Sequence, residues 1–500
     1  MDFYYLGIDV GTGSTKAVVY NRLGKVLFKT GSHYSLETSE PGFFELDPEK
    51  IWKAFVECLE SVMNNMGSKP QCIGLSTAMH GVVLVSPQGT LLTPIITWAD
   101  IRSESIAEEI MQSSMAEEVY RTTGTPIHSM SPLCKIIWLK RNRPDLFNQA
   151  VYILSIKSFL WYRIFERFEE DWSIASATGL FDIHTFQWSG LALNLAGIEE
   201  NQLPLPVATT FYRSEIRSKD LQGLGLSSPL PICIGASDGC TASLGSFCLD
   251  AGTSSITIGT SGAVRACIKK PVFHFPSMIF NYILDKEYWV TGGPVNNGGL
   301  ALDWGIKTFS PSHLDKEEGL HWAFQEMMKL KNGSEGLLFL PYLTGERAPI
   351  WDGKSSGVYL GIKRMHGPAH FLKALLEGIC YALNEVMLLL ENQLGEFQQV
   401  HISGGFTQSP LWVQTLSNIT GKKLVMIQVE DSSTLGAMVL AMKSQGFIED
   451  FKEMKASEPD AIYYPDPEAH ERYRKIFQIY VQVYPSLKKP LHELFALGAR

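Results

Sequence analysis

The chain has little that would mark a zinc protein, a disulfide scaffold or a membrane protein. Its eight cysteines are scattered over 500 residues. No CxxC pair occurs, and no Cys/His spacing suits a zinc site. Several thiols lie in apolar runs, as Cys233 does in Pro231–Gly235, which implies reduced, buried side chains in a reducing compartment. Long apolar stretches are missing as well: none approaches the ~18–20 residues needed to span a bilayer. The strand-like Phe3–Val10 follows no basic start and reaches an acid at Asp9, so a signal peptide is not expected and the cytoplasm is the expected compartment. Positive charge is not in excess. The net charge of −9 gives no reason to expect nucleic acid or an acidic membrane as a partner. An anionic small substrate needs only a few local cations and stays open.

What is present is the composition of a folded soluble protein, 45% hydrophobic and 19% charged. Single cores stop growing near ~250–300 residues, so two large domains are expected. Phe3–Val10 reads as a strand, Gly11–Thr15 as a turn, Lys16–Tyr20 as a second strand, and Asn21–Gly24 leads to a third at Lys25–Lys29. Asp47-Pro48-Glu49 starts a helix that runs to about Met66, with Asp47 as N-cap. Short buried strands follow at Cys72–Ser76 and Val82–Val85, helices with loops over Glu104–Ala150, and a further buried strand at Pro231–Ala236. The opening pattern then recurs: strand Ser255–Ile258, turn Gly259–Gly262, strand Ala263–Ile268. Two related domains are implied, residues 1–246 and 247–500, with the boundary among the small residues of Leu244–Gly252 and one phosphate-facing turn from each domain to a shared cleft. Helices are expected at His370–Leu394, Pro410–Thr420, Thr434–Ser444 and Glu468–Val483, with Ser409 and Ser433 as caps.

The first turn, Asp9-Val10-Gly11-Thr12-Gly13-Ser14-Thr15-Lys16, carries candidate chemistry. Gly11 and Gly13 leave backbone N–H groups open to an anion, Thr12, Ser14 and Thr15 add hydroxyls, Lys16 adds charge, and Asp9 can hold a hydrated magnesium ion. It is not a P-loop, because G-x-x-x-x-G-K-[ST] is absent and no helix follows. By itself the pattern also fits an ordinary glycine-rich hairpin. The echo at Gly259-Thr260 strengthens the phosphate reading. Ser403-Gly404-Gly405-Phe406 follows the strand-like Gln399–Ile402, so Gly404, Gly405 and Ser409 are candidates for the adenosine side.

Asp238, just beyond the Pro231–Ala236 strand and among residues of little bulk, is the candidate base for a substrate hydroxyl. An Asp-Gly step also marks plain turns. Met79-His80, Trp98, Asp100, Arg102, His128 and Lys135 stand at strand ends or loops, where open α/β sheets bind ligands. Asp100 and His80 suit a polyol, while Arg102, His128 and Lys135 suit a substrate carboxylate.

Assembled in order, these segments resemble the FGGY family of carbohydrate kinases from Asp9 to about Ala441. The anchors are Gly7–Thr12, Met130–Asn142, Gly235–Gly239, Thr257–Gly262, Gly357–Glu377 and Gly404-Gly405. Within the family the chain looks most like gluconokinase, through Ser76–His80, Thr97–Ser103, Arg121–Lys135, Gly292–Gly299 and Tyr342–Pro349. Gly81, where gluconokinases tend to carry Ser, looks more like xylulokinase, and Ser129 replaces the usual Pro.

The resemblance implies two actin-like, ribonuclease-H-like domains around a central cleft, with ATP and magnesium as cofactors. It implies Asp238 as base, Asp9 near the metal, Thr12, Lys16 and Thr260 at the phosphates, Gly299 and Gly405 at the nucleotide, and Met79 and His80 at the sugar. The expected reaction is phosphorylation of the 6-hydroxyl of D-gluconate. D-xylulose or another sugar or polyol is the alternative, and an actin- or chaperone-like ATP switch the remote one. A small sugar acid or sugar is the expected partner, and a homodimer is compatible with that reading.

Overall fold

A computed structural model describes residues 3–226, 229–427, 429–456 and 458–498. The chain divides into two compact units. The first comprises Met1–Leu249 together with Cys267–Thr291 and Val429–Ala456, and the second comprises the remaining residues. The sequence alone suggests one cut near residue 246. The structure adds two later segments to the first unit, because their apolar side chains join its core: Cys267, Phe280, Tyr282, Met438 and Leu440 pack with Tyr5, Cys233 and Leu244.

The first unit is built on a six-stranded sheet in the order Tyr212–Arg213, Ile232–Ser237, Ile73–Thr77, Tyr5–Val10, Ser14–Tyr20, Val26–His33. The last three form the antiparallel meander expected from the glycine spacing. Tyr5–Val10 runs parallel to Ile73–Thr77, which runs parallel to Ile232–Ser237. The helix Pro48–Met66 connects the meander to the parallel strands. Asp47 caps it by accepting from the Glu49 N–H, and Gly67 ends it with φ 63°. Its buried face, Ile51, Phe55, Leu59 and Val62, lies on the sheet core. Each such side chain contributes roughly 1.5–3 kcal/mol of burial, so packing rather than propensity holds the helix.

The helix Ser432–Ser444 lies on the same sheet at backbone distance. A Cβ at Gly7 would stand 1.9 Å from the Thr434 carbonyl oxygen, and one at Gly74 1.9 Å from that of Ala437. The sequence places this helix from Thr434 with Ser433 as cap. The observed cap is Asp431, whose carboxylate accepts from the Thr434 N–H at 2.9 Å.

In the second unit the strands pair in the order Gly262–Ile268, Thr253–Ile258, Gln399–Ser403, Leu424–Met426, Ala461–Tyr463. Thr253–Ile258 is antiparallel to its hairpin partner and parallel to Gln399–Ser403, the same wiring as the first unit's opening. Helices cover Pro368–Leu394 and Pro410–Thr420, the latter capped by Ser409 as expected. The terminal helix, expected to stop at Val483, continues through Pro485 and Pro490 to Gly498. The eight cysteines are all buried and none is in a disulfide. Among the described residues no helix is long and apolar enough to cross a membrane.

Candidate active site

The edge of the first unit's sheet gathers charge. Asp9 is the next-to-last residue of the first strand and pairs in register with Lys16 on one side and Ser76 on the other. The Ser76 hydroxyl lies 2.6 Å from Asp9 Oδ1 and 2.9 Å from Thr241 Oγ1. Lys16 reaches across to Asp431, Nζ to Oδ2 2.9 Å. Burial, and then the carboxylates of Asp431 and Asp238, push the Asp9 carboxyl up to about 7, against Ser76 and Lys16, which lower it. Asp9 is thus crowded by two further carboxylates, with one ammonium beside it.

Between Asp9 and Lys16 the turn is closed by Gly11 N–H to the Ser14 carbonyl at 2.9 Å, and Tyr34 O–H steadies it from the Gly11 carbonyl at 2.7 Å. Thr12 and Ser14 are half-buried and Gly13 is exposed. A Cβ on Gly13 would meet nothing within 4 Å, so the space before this turn is open.

Asp238 is the first residue of the helix Asp238–Gly245, directly after the strand Ile232–Ser237. It is half-buried, and its Oδ1 accepts from the Gly239 N–H at 2.7 Å.

The residues predicted for the substrate divide into two groups. Met79 and His80 stand in the loop after Ile73–Thr77. His80 adopts φ 67°, its Nδ1 donates to the Ala177 carbonyl at 2.7 Å, and its ring meets Tyr282 edge-on. That bond fixes the tautomer and leaves Nε2 as the acceptor in the neutral ring. Trp98 and His128 are half-buried, and His128 Nδ1 accepts from the Met130 N–H at 3.1 Å.

Asp100, Arg102 and Lys135 form the second group, each held by bonds within the protein. Asp100 is fully buried and accepts from the Phe44 and Arg102 N–H groups and from the Arg102 guanidinium. Arg102 also bonds Glu45 at 2.6 Å and lies 3.8 Å over the Phe43 ring. Removing one partner of such a buried pair costs about 3–5 kcal/mol. The buried Lys135 ammonium donates to the carbonyls of His80 and Thr97 at 2.7 and 2.6 Å, and burial pulls its pKa down to about 7. It ties the His80 loop to the end of the Thr97 segment.

The second unit holds a cavity of about 1220 Å³ lined by Gly259, Thr260, Gly299, Gly405 and Ser409, with Phe324, Met328 and Trp412 as an apolar wall. Five of the residues proposed for the nucleotide thus meet at one surface. Gly404 is not on that surface; it passes under the strand end, where a Cβ would lie 2.2 Å from the Ile258 carbonyl oxygen. The Gly299 N–H donates to the Gly259 carbonyl at 2.7 Å, so the two glycine turns are joined.

Three features escape the sequence reading. Asp431 faces Lys16 from a chain segment more than four hundred residues away, and only an acid ahead of Ser432-Ser433-Thr434 hints at it. Glu346 and Arg347 acquire a place: buried Glu346 accepts from the Asn296 and Arg347 N–H groups, and Arg347 Nε donates to Asn296 Oδ1 at 2.7 Å. They hold the Asn296-Asn297 turn that leads into Gly298 and Gly299. Lys157, an isolated cation in the apolar run Ile153–Leu160, is fully buried.

Comparison with known proteins gives the family. Residues 4–245 match the N-terminal domain of the FGGY family of carbohydrate kinases, and residues 254–444 match its C-terminal domain. A gluconokinase from Bacillus licheniformis is 35% identical over 500 residues, covering 98% of this chain and 97% of its own. The crystal structure of a gluconate kinase from Lactobacillus acidophilus superposes with a TM-score of 0.92 at 32% identity, covering 97% of this chain and 98% of that one. A ligand-bound xylulose kinase from the same species gives 0.93 at 32%, covering 98% and 99%. Matched along nearly its whole length in sequence and in fold, the chain belongs to the FGGY family of carbohydrate kinases.

Proposed function

We propose that this carbohydrate kinase transfers the γ-phosphoryl group of ATP to the 6-hydroxyl of D-gluconate. The observation that carries the choice of sugar is the full-length likeness to the Bacillus licheniformis gluconokinase. Asp238 accepts the hydroxyl proton as the phosphoryl group departs. Thr12, Gly13, Ser14 and Lys16, with Gly259 and Thr260, supply backbone, hydroxyl and ammonium donors to the phosphates. Gly299, Gly405 and Ser409 line the nucleotide's place, while Met79, His80, Trp98 and His128 border the sugar. The reaction is expected in the cytoplasm.

The donors around Asp9 fit magnesium. Among the described residues no three His, Cys, Asp or Glu side chains form a ready metal cage. Magnesium takes one or two carboxylates and fills the rest of its shell with water and phosphate oxygens. Asp9 would hold it, beside Asp238 and Asp431, whose negative charge is in excess of Lys16. When bound, the ion supplies charge neutralisation at the phosphates.

A second reading, D-xylulose, is favoured by the equal identity of the xylulose kinase structure. The other pointer to it, Gly81, weakens on inspection. A Cβ there would meet Ile156 at 3.2 Å and Ile95 at 3.3 Å, so this position reports packing beneath the loop. ADP release measured with D-gluconate, D-xylulose, glycerol and other sugar acids tests the choice. D-gluconate should exceed D-xylulose in kcat/KM by about 100-fold or more, the range a polar mismatch commands. The reverse order would reject gluconate. Asp238→Asn should lower kcat by about 10³-fold with ATP binding retained; wild-type turnover in this variant removes the base assignment.

A further inference from the structure

Lys157 lies in the first turn of the helix Ile156–Phe165, where a cation opposes the helix dipole. Its side chain is fully buried, and phosphoryl transfer as described has no use for it. Its partners suggest one. Lys157 Nζ donates to the carbonyls of Ile234 at 2.6 Å and Ala236 at 3.1 Å, and stands 3.1 Å from Asp171 Oδ2.

Those carbonyls need a partner because the strand is irregular there. Ile232 pairs with Ile73 and Cys233 with Gly74, but Ala236 pairs with Ser76, so the register slips between them. Gly235 sits in the slip at φ 72°, where a Cβ would come within 1.7 Å of the Leu75 carbonyl oxygen. Such a bulge turns the strand and takes backbone groups out of the ladder. The residue that follows the slip is held too. Ser173 Oγ donates to Ser237 Oγ at 2.8 Å and accepts from the Ser237 N–H at 3.1 Å. Asp171, through its other oxygen, caps the short helix that carries Ser173, accepting from the Ile174 N–H at 2.9 Å. Lys157 therefore grips the bulge, the Asp171–Ser173 arm grips Ser237, and the next residue is Asp238.

We propose that the buried Lys157–Asp171 pair, with Ser173, is a positioning device for Asp238, locking the bulged strand end that aims its carboxylate at the substrate hydroxyl. This rests on Asp238 acting as the base. A misplacement of about 1 Å at a reacting group costs on the order of 10²-fold in rate.

The test uses the full chain with ATP and D-gluconate, or D-xylulose if the substrate panel selects it, and records kcat, both KM values and Tm for K157M, K157M/D171N, S173A and D238N. K157M leaves Asp171 buried without its partner and should lose both Tm and kcat. K157M/D171N removes both charges, and neutralised buried pairs often regain stability. It should recover Tm while kcat stays about 100-fold down and KM for ATP stays within about twofold. S173A, the mildest change, should fold normally and lose about 10-fold in kcat at unchanged KM, and it decides alone if the lysine variants do not fold. Wild-type kcat in S173A, or recovery of kcat together with Tm in the double variant, would overturn the positioning role while D238N remains inactive. An active D238N instead overturns the base assignment and this proposal with it.

Discussion

In the first unit Asp9 stands in register between Lys16 on its hairpin partner and Ser76 on the parallel strand; in the second, Thr257 stands in register between Ala263 and Ser403. The two hairpins share their wiring, and each places a Gly-Thr step immediately after the strand. Their chemistry differs. The first presents a carboxylate and an ammonium, with Asp431 brought in from a distant helix. The second presents hydroxyls, Thr257 and Ser403 being 3.0 Å apart, and bonds its glycine turn to the Gly299 turn at the edge of an apolar-walled cavity. One frame serves charge, the other serves backbone donors and shape. In the family reaction these are complementary needs, since a polyphosphate wants a cation and the rest of a nucleotide wants a surface.

The largest effect should come from neutralising the charged hairpin. Asp9→Asn should lower kcat at saturating magnesium and ATP by about 10²–10³-fold, the usual loss when one charge-stabilising group is removed, whereas Thr257→Ala should change it by less than about threefold. Equal losses in steady-state assays would mean that the two hairpins do the same work. A smaller effect separates two glycines of the second site. Gly299→Ala puts a Cβ 2.8 Å from the Gly259 carbonyl oxygen, whereas a Cβ on Gly259 meets nothing within 4 Å. KM for ATP should rise about 10-fold in the first and stay within about twofold in the second, a difference of roughly 1.4 kcal/mol.

The smallest effect is a pH signature confined to the first hairpin. The folded-state pKa of Asp9 is raised to about 7, above the ~3.9 of an unfolded chain. The folded state therefore binds the extra proton between those values, and stability falls as pH rises through the window and stays lowered above it. Asp9→Asn escapes that loss. In metal-free buffer its Tm should match the wild type near pH 4 and exceed it by about 2–4 °C at pH 8. Added magnesium should narrow the gap at pH 8, and an unchanged gap in calorimetry would argue against a metal at Asp9.

Local features were legible where the chain states them locally. The meander, the Asp47-Pro48 helix start and both Gly-Thr turns follow from glycine spacing and caps, and they stand as expected except that the third strand runs on to His33 instead of stopping at Lys29. The charged residues were harder. Arg102 and Lys135 look like free cations in a sequence, because nothing nearby announces that Asp100 or the His80 and Thr97 carbonyls will take their charge. Asp431 was hidden behind three hydroxyl residues that cap helices equally well, and Ser433 was the wrong choice among them. The extent of the first unit was invisible for a further reason: the glycines that admit the Ser432–Ser444 helix lie at positions 7 and 74, and no local pattern links them to it.

That glycine seam also dictates a schedule. During synthesis the sheet of the first unit emerges early, yet the helix that seals its face, backbone against backbone, leaves the ribosome only after residue 444. Until then the grooves over Gly7 and Gly74 stand open, and the nascent chain must carry an unsealed apolar sheet while the intervening residues are made. A fragment ending near residue 250 would stop at that exposed stage. The last step of folding for the first half of this protein is therefore set by the arrival of its second half, a contact of very long sequence separation and correspondingly slow closure.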